Sequence, residues 1–199
     1  SPSPSSTKPA KDTRSGAQLD QAYTVNGIVV VSKKHPINAA YRRTSVTSPN
    51  GLPRQTQAAL TDMVAAARKQ GVRILVRSGY RSYALQAQIL ASKIREYGSE
   101  TLARRYNAAP GRSEHQTGLA VDLWDGVTWS LPMANTATGK WLFTHAHEYG
   151  FILRYPRGKE NVTGVTYEPW HYRYVGKDAA KAIMQAGGTL EEYTGAHTA

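Results

Sequence analysis

Two patterns of apolar residues, alternation and helical spacing, predict the elements in the first half of the chain. The β-branched run GIVVVS over residues 27–32 predicts a strand. Residues 53–71 place apolar side chains at the i, i+3, i+4, i+7 spacing of an amphipathic helix, at Leu60, Met63, Val64 and Ala67. Residues 72–79 alternate and predict a second strand. Ser82 is a suitable N-cap for a further helix that ends at Gly98.

The second half of the chain mixes helical and strand patterns without a regular order. Helices are predicted over residues 99–107, 139–150 and 178–186. Strands are predicted for TGLAVDLW (117–124), FILRYP (151–156) and WHYRYVG (170–176). Because the elements do not follow a βαβ rhythm, we expect an α+β fold with a small mixed or antiparallel sheet and flanking helices.

The N-terminal segment differs in composition from the rest of the chain. Residues 1–17 are rich in serine, proline and lysine and have no aromatic side chain and no aliphatic one larger than alanine. Such a segment buries too little apolar surface to offset the entropy of ordering. We therefore predict a flexible tether over residues 1–17 and a single domain over residues 18–199.

Composition narrows the classes of partner and of chemistry. The net charge of +11 favours an anionic partner, whether nucleic acid, anionic lipid or anionic wall polymer. The basic residues are scattered, which favours a generally basic surface over a dedicated nucleic-acid groove. No run of about 18 apolar residues is present, so no transmembrane helix is predicted. The absence of cysteine excludes disulfides, thiolate metal sites and cysteine nucleophiles.

Histidines and carboxylates occur together in two short stretches. SEHQTGLAVD (113–122) contains His115 and Asp122, and EPWH (168–171) contains Glu168 and His171. A zinc site without cysteine uses histidine nitrogens and carboxylate oxygens, and a catalytic site keeps one position for water. A metal ion would also explain Asp122 in an apolar run, because a buried carboxylate needs a compensating charge. The set suits metal-assisted hydrolysis.

Simpler interpretations of these residues stay open on composition and spacing alone. A surface ion pair with a lysine is the alternative for Glu168. His145 and His147 form an H-x-H pair, but at i and i+2 of a helix their side chains point about 200° apart, which favours structural roles. Glu168 and His171 at i and i+3 would share a helical face, but Pro169 and the alternation after it favour an extended chain, in which a bend or bulge near Pro169 could bring both side chains to one metal ion.

Taken together, the motifs resemble the zinc D-alanyl-D-alanine carboxypeptidases, the VanY-like family of peptidoglycan peptidases. The family signatures S-x-H-x-x-G-x-A-x-D and E-x-W-H are matched at every fixed position. A third family segment, S-x-Y-R-S-x-x-x-Q, is similar to SGYRSYALQ (78–86). The likeness covers roughly residues 25–195. It implies a fold like that of the hedgehog domains and D,D-peptidases, with the zinc site on the sheet.

The resemblance implies a role for each matched residue. His115, Asp122 and His171 match the zinc ligands, with one zinc ion per chain, and Glu168 matches the catalytic base. Arg81 matches the arginine that stabilises the oxyanion and the carbonyl end of the substrate. Five further residues are expected near the bound peptide, namely Tyr80, Ser82, Gln86, Ser113 and Trp170.

From this resemblance we expect a monomeric D,D-carboxypeptidase that removes the C-terminal D-alanine from peptidoglycan stem peptides and has no nucleic-acid partner. We expect it to act outside the membrane, as a secreted, wall-bound or membrane-tethered protein. The alternatives are an L,D-carboxypeptidase, an endopeptidase acting on the same peptides and a non-catalytic zinc-containing binding module. The pair of Glu168 and Arg81 favours an enzyme over a binding module.

Overall fold

The structure, a computed structural model, describes residues 9–43 and 48–196, and its first two strands form a short β-hairpin. Its strands are β1 (Tyr23–Val25) and β2 (Ile28–Val30), which pair antiparallel. Asn26 and Gly27 join them with φ angles of 50° and 81°. Two consecutive positive φ angles give the turn whose twist matches a two-residue hairpin, and Asn-Gly adopts it readily.

A second, four-stranded antiparallel sheet carries the candidate site, and its strand order is β3-β4-β6-β5. The strands are β3 (Leu75–Ser78), β4 (Ala120–Trp124), β5 (Phe151–Leu153) and β6 (His171–Tyr174). The predicted α+β class with a small antiparallel sheet is therefore confirmed.

Helices flank this sheet. The described residues contain α1 (Arg54–Lys69), α2 (Tyr83–Tyr97), α3 (Glu100–Tyr106), α4 (Ala137–His145), α5 (Glu160–Thr163), α6 (Lys177–Ala186) and α7 (Leu190–Thr194). Short 3-10 helices cover Gly16–Asp20, Glu114–Thr117, Leu131–Asn135 and Ala146–Tyr149. No helix within these ranges is long and apolar enough to cross a lipid bilayer.

The two faces of the central strand β4 have different environments. Val121 and Leu123 are fully buried in the main core, together with Leu60 and Met63 of α1. Burying each such side chain contributes roughly 1.5–3 kcal/mol to stability. Side chains alternate along a strand, so Asp122 points to the opposite face of the sheet. The core thus fixes the strand that presents this carboxylate.

Most predicted elements occur, with shorter strands and one wrong boundary. The N-cap at Ser82 is confirmed, since its Oγ accepts the N–H of Leu85 at 3.1 Å. The helix predicted over 139–150 is wrong at its end, because the α-helix stops at His145 and a 3-10 turn follows. The strand predicted over 117–124 starts only at Ala120, after a 3-10 helix and a left-handed turn at Gly118.

Part of the predicted tether contacts the domain. The Asp12 carboxylate lies 2.7 Å from Arg14 and 2.9 Å from Nδ1 of His35, and the Tyr23 hydroxyl donates to the carbonyl of Ala10 at 2.6 Å. Residues 1–8 lie outside the described part of the chain. The boundary at residue 17 stays a prediction.

Candidate metal centre

A cavity of about 260 Å³ opens on the face of the sheet to which Asp122 points. It is lined by eight of the ten residues that the sequence predicted for the site: Arg81, Gln86, Ser113, His115, Asp122, Glu168, Trp170 and His171. One nitrogen or oxygen atom from each of His115, Asp122 and His171 lies within 4.8 Å of the others, and all three residues are buried. The structure therefore brings the three predicted ligands together.

His115 lies in the 3-10 helix before β4 and is held in place by the residue that follows β3. Its Nδ1 donates to the carbonyl of Gly79 at 2.7 Å, which leaves Nε2 with a lone pair. That Nε2 lies 3.3 Å from Oδ1 of Asp122. Gly118 then reverses the chain with a φ of 74°, where an added Cβ would approach Gly51 and Pro53 at 3.0 Å. This turn lets His115 and Asp122 face each other although they are seven positions apart.

Strand register brings the other two ligands together. Asp122 in β4 pairs directly with His171 in β6, so the two side chains project from the same face. Oδ1 of Asp122 and Nδ1 of His171 are 3.5 Å apart. Both residues belong to strands whose other face lies in the core, so their positions are rigid.

Glu168 reaches the same point through a turn. The N–H of His171 donates to the carbonyl of Glu168 at 3.2 Å, which closes a four-residue turn with Pro169 at its second position. Oε2 of Glu168 lies 3.3 Å from Nδ1 of His171. Of the two expected routes near Pro169, a bend or a bulge, the structure has the bend, in the form of this turn.

Carboxylates dominate the electrostatics around His171. Burial alone would lower the pKa of His171, but neighbouring carboxylates, led by Glu114 and Glu168, raise it to about 9. Burial alone would raise the pKa of Asp122, but nearby positive groups, led by His115, hold it below its usual value. The neighbours thus favour a positive charge between these carboxylates.

The donor set fits a zinc ion. Oδ1 of Asp122 is buried and has no hydrogen-bond partner, although it lies close to nitrogens of both histidines. A buried carboxylate oxygen without a partner is costly, and a divalent cation bound between these three atoms would satisfy it. Two histidines and one carboxylate are a ligand set that catalytic zinc sites use, with a further position for water.

Arg81 forms the adjoining wall. Its guanidinium donates to Oε1 of Gln86 at 2.9 Å and to Oγ of Ser78 at 3.1 Å, and it lies 3.4 Å from Oδ2 of Asp122. Gln86 in turn donates to the carbonyl of Ala108 at 2.7 Å. Gln86 therefore orients Arg81, while Ser113 and Trp170 line the cavity.

The structure places four other sequence-selected residues away from this cavity. Tyr80 lies beneath the guanidinium of Arg43, 3.5 Å from ring centre to Cζ, and Ser82 caps α2. Neither lines the cavity, so their predicted contact with substrate has no support in the geometry. His145 pairs with Glu148 at 2.9 Å, and neither it nor His147 lines the cavity.

Comparison with known proteins identifies the family. The sequence model of VanY, described as D-alanyl-D-alanine carboxypeptidase, matches residues 50–177. The chain belongs to the VanY family. A D-alanyl-D-alanine carboxypeptidase of Enterococcus faecalis is 38% identical over 177 residues, which cover 83% of this chain and 65% of the relative.

Solved structures of VanY-family and related peptidases superpose well. The LdcB LD-carboxypeptidase gives a TM-score of 0.75 at 35% identity, covering 88% of this chain and 94% of LdcB. A mutant of the vancomycin resistance D,D-pentapeptidase VanY in complex with Zn(II) gives 0.74 at 39%, covering 83% and 97%. VanYB in complex with D-alanine-D-alanine gives 0.74 at 39%, covering 83% and 95%. The chain spans 40–65% of the length of the curated relatives that it matches.

Sequence reasoning missed a group of charged residues behind the VanY-family motif. Glu114, the variable position between Ser113 and His115, is fully buried and contacts His171, Arg154 and Arg173. One signal was available: Arg173 alternates with Tyr172 along β6 and so shares a face with His171. The remaining contacts join residues far apart in the chain and leave no local pattern.

Proposed function

We propose that the chain is a zinc-dependent D,D-carboxypeptidase that removes the C-terminal D-alanine from peptidoglycan stem peptides. The observation that carries this proposal is the convergence of His115, Asp122 and His171 in one cavity beside Glu168 and Arg81. Membership of the VanY family supports the reaction class, and the D-alanine-D-alanine complex of VanYB supports the class of ligand.

His115 would bind the ion through Nε2, Asp122 through Oδ1 and His171 through Nδ1, since these atoms face one another. Zinc held there would supply two effects: it would lower the pKa of water to roughly 7, and it would polarise a carbonyl. The protein must then position the peptide, accept the proton of the water and stabilise the charge that develops on the carbonyl oxygen.

Glu168 is the residue that moves the proton. Its side chain is 16% exposed, so it reaches the cavity, and Oε2 lies beside the ligand nitrogen of His171. In this mechanism its carboxylate accepts a proton as water attacks the scissile carbonyl and then donates it to the departing amine of D-alanine. One group acting as base and then as acid balances the proton over the cycle.

Arg81 stabilises negative charge. Gln86 and Ser78 hold its guanidinium beside Asp122, and its side chain is 19% exposed toward the cavity. Fixed donors aimed at a developing oxyanion lower the barrier because they need no reorganisation during the reaction. The same planar donor suits the terminal carboxylate that a carboxypeptidase must recognise.

An L,D-carboxypeptidase is the second candidate, because LdcB carries that activity in its name and has the higher TM-score. The two activities differ in the chirality of the residue before the scissile bond. The presence of both Glu168 and Arg81 beside the ligands favours either enzyme over a non-catalytic binding module.

We further propose one zinc ion per chain, since a single histidine and carboxylate cluster of this kind occurs in the described ranges. We also propose that the protein is a monomer. It would act outside the membrane, secreted or tethered, because stem peptides lie there. Light scattering of the purified protein checks the oligomeric state, and zinc analysis checks the stoichiometry.

The deciding experiment incubates zinc-loaded protein with synthetic stem peptides ending in D-Ala-D-Ala or in L-centre-D-Ala and identifies the products by mass. We expect loss of one alanine, fastest from D-Ala-D-Ala ends. Glu168→Gln serves as the inactive control, and Glu148→Gln, an exposed carboxylate outside the cavity, serves as the matched active one. Faster cleavage of the L-centre peptide would favour the second candidate, and cuts inside the stem would indicate an endopeptidase.

A further inference from the structure

A cluster of four buried charges lies behind the ligand His171. Its members are Glu114, Arg154, Arg173 and Glu191, whose side chains are at most 1% exposed. Two carboxylates and two guanidinium groups balance in charge. Desolvating four charges is costly, so a cluster of this kind requires close mutual contacts.

The contacts are close and connect four separate segments of the chain. Oε1 of Glu114 accepts Nε of Arg154 at 2.8 Å and Nη1 of Arg173 at 2.7 Å. The other two nitrogens of Arg154 donate to both oxygens of Glu191 at 2.8 and 2.5 Å. Glu191 lies in α7, whose N-terminus is capped reciprocally by Thr189 and Glu192.

The two glutamates differ in one respect. Both oxygens of Glu191 are occupied by Arg154. Glu114 binds both arginines with one oxygen and directs the other, Oε2, to Nε2 of His171 at 3.4 Å. The opposite nitrogen of that ring, Nδ1, faces Asp122. The imidazole of His171 therefore lies between a buried carboxylate on one side and the candidate metal position on the other.

We propose that Glu114 is a positioning residue for His171: it accepts the Nε2 proton and so leaves the Nδ1 lone pair directed at the metal. Arg154 and Arg173 hold the Glu114 carboxylate in place, and Glu191 anchors Arg154 from the C-terminal helix. This inference rests on the proposed zinc site. A carboxylate behind a ligand histidine fixes its tautomer and ring orientation and raises its basicity.

The test measures zinc affinity by competition with a chromophoric chelator in folded wild-type protein and two matched variants. Glu114→Gln should weaken zinc binding by about 10–100-fold, the usual cost of losing such a partner. Glu191→Gln removes an equally buried charge from the same arginine but does not touch His171, so its zinc affinity should equal that of wild type. The visible spectrum of the cobalt-substituted protein should change in the Glu114 variant alone.

A second pair of variants conserves the charge and guards against loss of fold, since either glutamine leaves the buried cluster with one positive charge in excess. Glu114→Asp keeps that charge but withdraws the carboxylate from His171, and Glu191→Asp is its control. Only the Glu114 variant should lose zinc affinity. Nitrogen-15 NMR of zinc-loaded wild type needs no variant and should find the His171 proton on Nε2.

The outcomes separate this inference from the proposed function. If wild type binds no zinc, the proposed function fails. If wild type binds zinc but the Glu114 and Glu191 variants lose affinity equally, or if the His171 proton lies on Nδ1, this inference alone is overturned.

Discussion

Oε2 of Glu168 lies 3.3 Å from Nδ1 of His171, closer to that nitrogen than Oδ1 of Asp122 at 3.5 Å. The turn at Pro169 therefore places the proposed base and the proposed ligand side by side. A substitution at either residue can disturb the other, so tests of their roles must measure zinc content and turnover together.

The role of Glu168 is tested by Glu168→Gln, which keeps the shape of the side chain but cannot accept a proton. We expect kcat/KM on a D-Ala-D-Ala peptide to fall by roughly 10²–10⁴-fold, the usual contribution of a general base, with zinc content unchanged. Glu148→Gln should retain wild-type turnover. Near-wild-type turnover by Glu168→Gln would exclude Glu168 as the base.

The ligand set is tested by His115→Ala and His171→Ala. Each removes one of three protein donors, so zinc binding should fall strongly in both, as measured by metal analysis after dialysis. His147→Ala, a histidine outside the cavity, should keep its zinc, and so should Glu168→Ala. If Glu168→Ala and His147→Ala both lose zinc, the assignment of ligands is wrong.

Recognition of the peptide end is tested by combining Arg81→Lys with an amidated substrate. A hydrogen bond to a charged group is worth roughly 1.5–3 kcal/mol, so amidation should slow the wild-type enzyme about tenfold or more. Lysine lacks the planar fork of arginine, so Arg81→Lys should be slower on the free acid and discriminate less between the two peptides. Arg68→Lys, on the exposed side of α1, is the control. Equal wild-type rates on both peptides would argue against recognition of the carboxylate.

The segment around Asp12 should contribute stability that depends on pH. Burial alone would raise the pKa of Asp12, but hydrogen bonds from Arg14 and His35 lower it well below its usual range. A lowered folded-state pKa gives stability that is present above the ordinary carboxyl value and is lost as the pH falls through the folded value.

Asp12→Asn should therefore lower the free energy of unfolding by about 1 kcal/mol near neutral pH, after allowance for solvent screening. The difference from wild type should shrink below roughly pH 4. Urea titrations between pH 2 and pH 8 measure it, with the exposed Asp62→Asn as control. A difference that stays constant down to pH 2 would show that carboxylate charge is not its source.

The sequence predicted the candidate ligands because each lies in a short motif whose local structure is self-contained. His115 and Asp122 are joined by a 3-10 helix and one turn, and Glu168 and His171 by a single four-residue turn. The helices α1 and α2 were also predictable, since apolar spacing and the Ser82 cap are local signals.

Features that depend on distant partners were not predictable. Glu114 contacts Arg154 and Arg173, which are 40 and 59 positions away, so its neighbourhood in the chain gives no sign of this role. Asp12 looked like part of a polar tether because its partner His35 is 23 positions away. Tyr80 matches the family segment, yet its ring packs under Arg43 outside the cavity.

Because Asp122 pairs directly with His171, the site depends on the register of β4 and β6. It does not depend on the length of the loops that connect these strands. A slip of one residue in β4 or β6 would turn a ligand into the apolar core and bring Val121 or Tyr172 to the cavity instead. Length changes in the exposed loop at Arg157 and Gly158, by contrast, leave the alternation of both strands intact. Foreign sequence could therefore be grafted into that loop, and the two metal donors would still face each other as long as the strands keep their register.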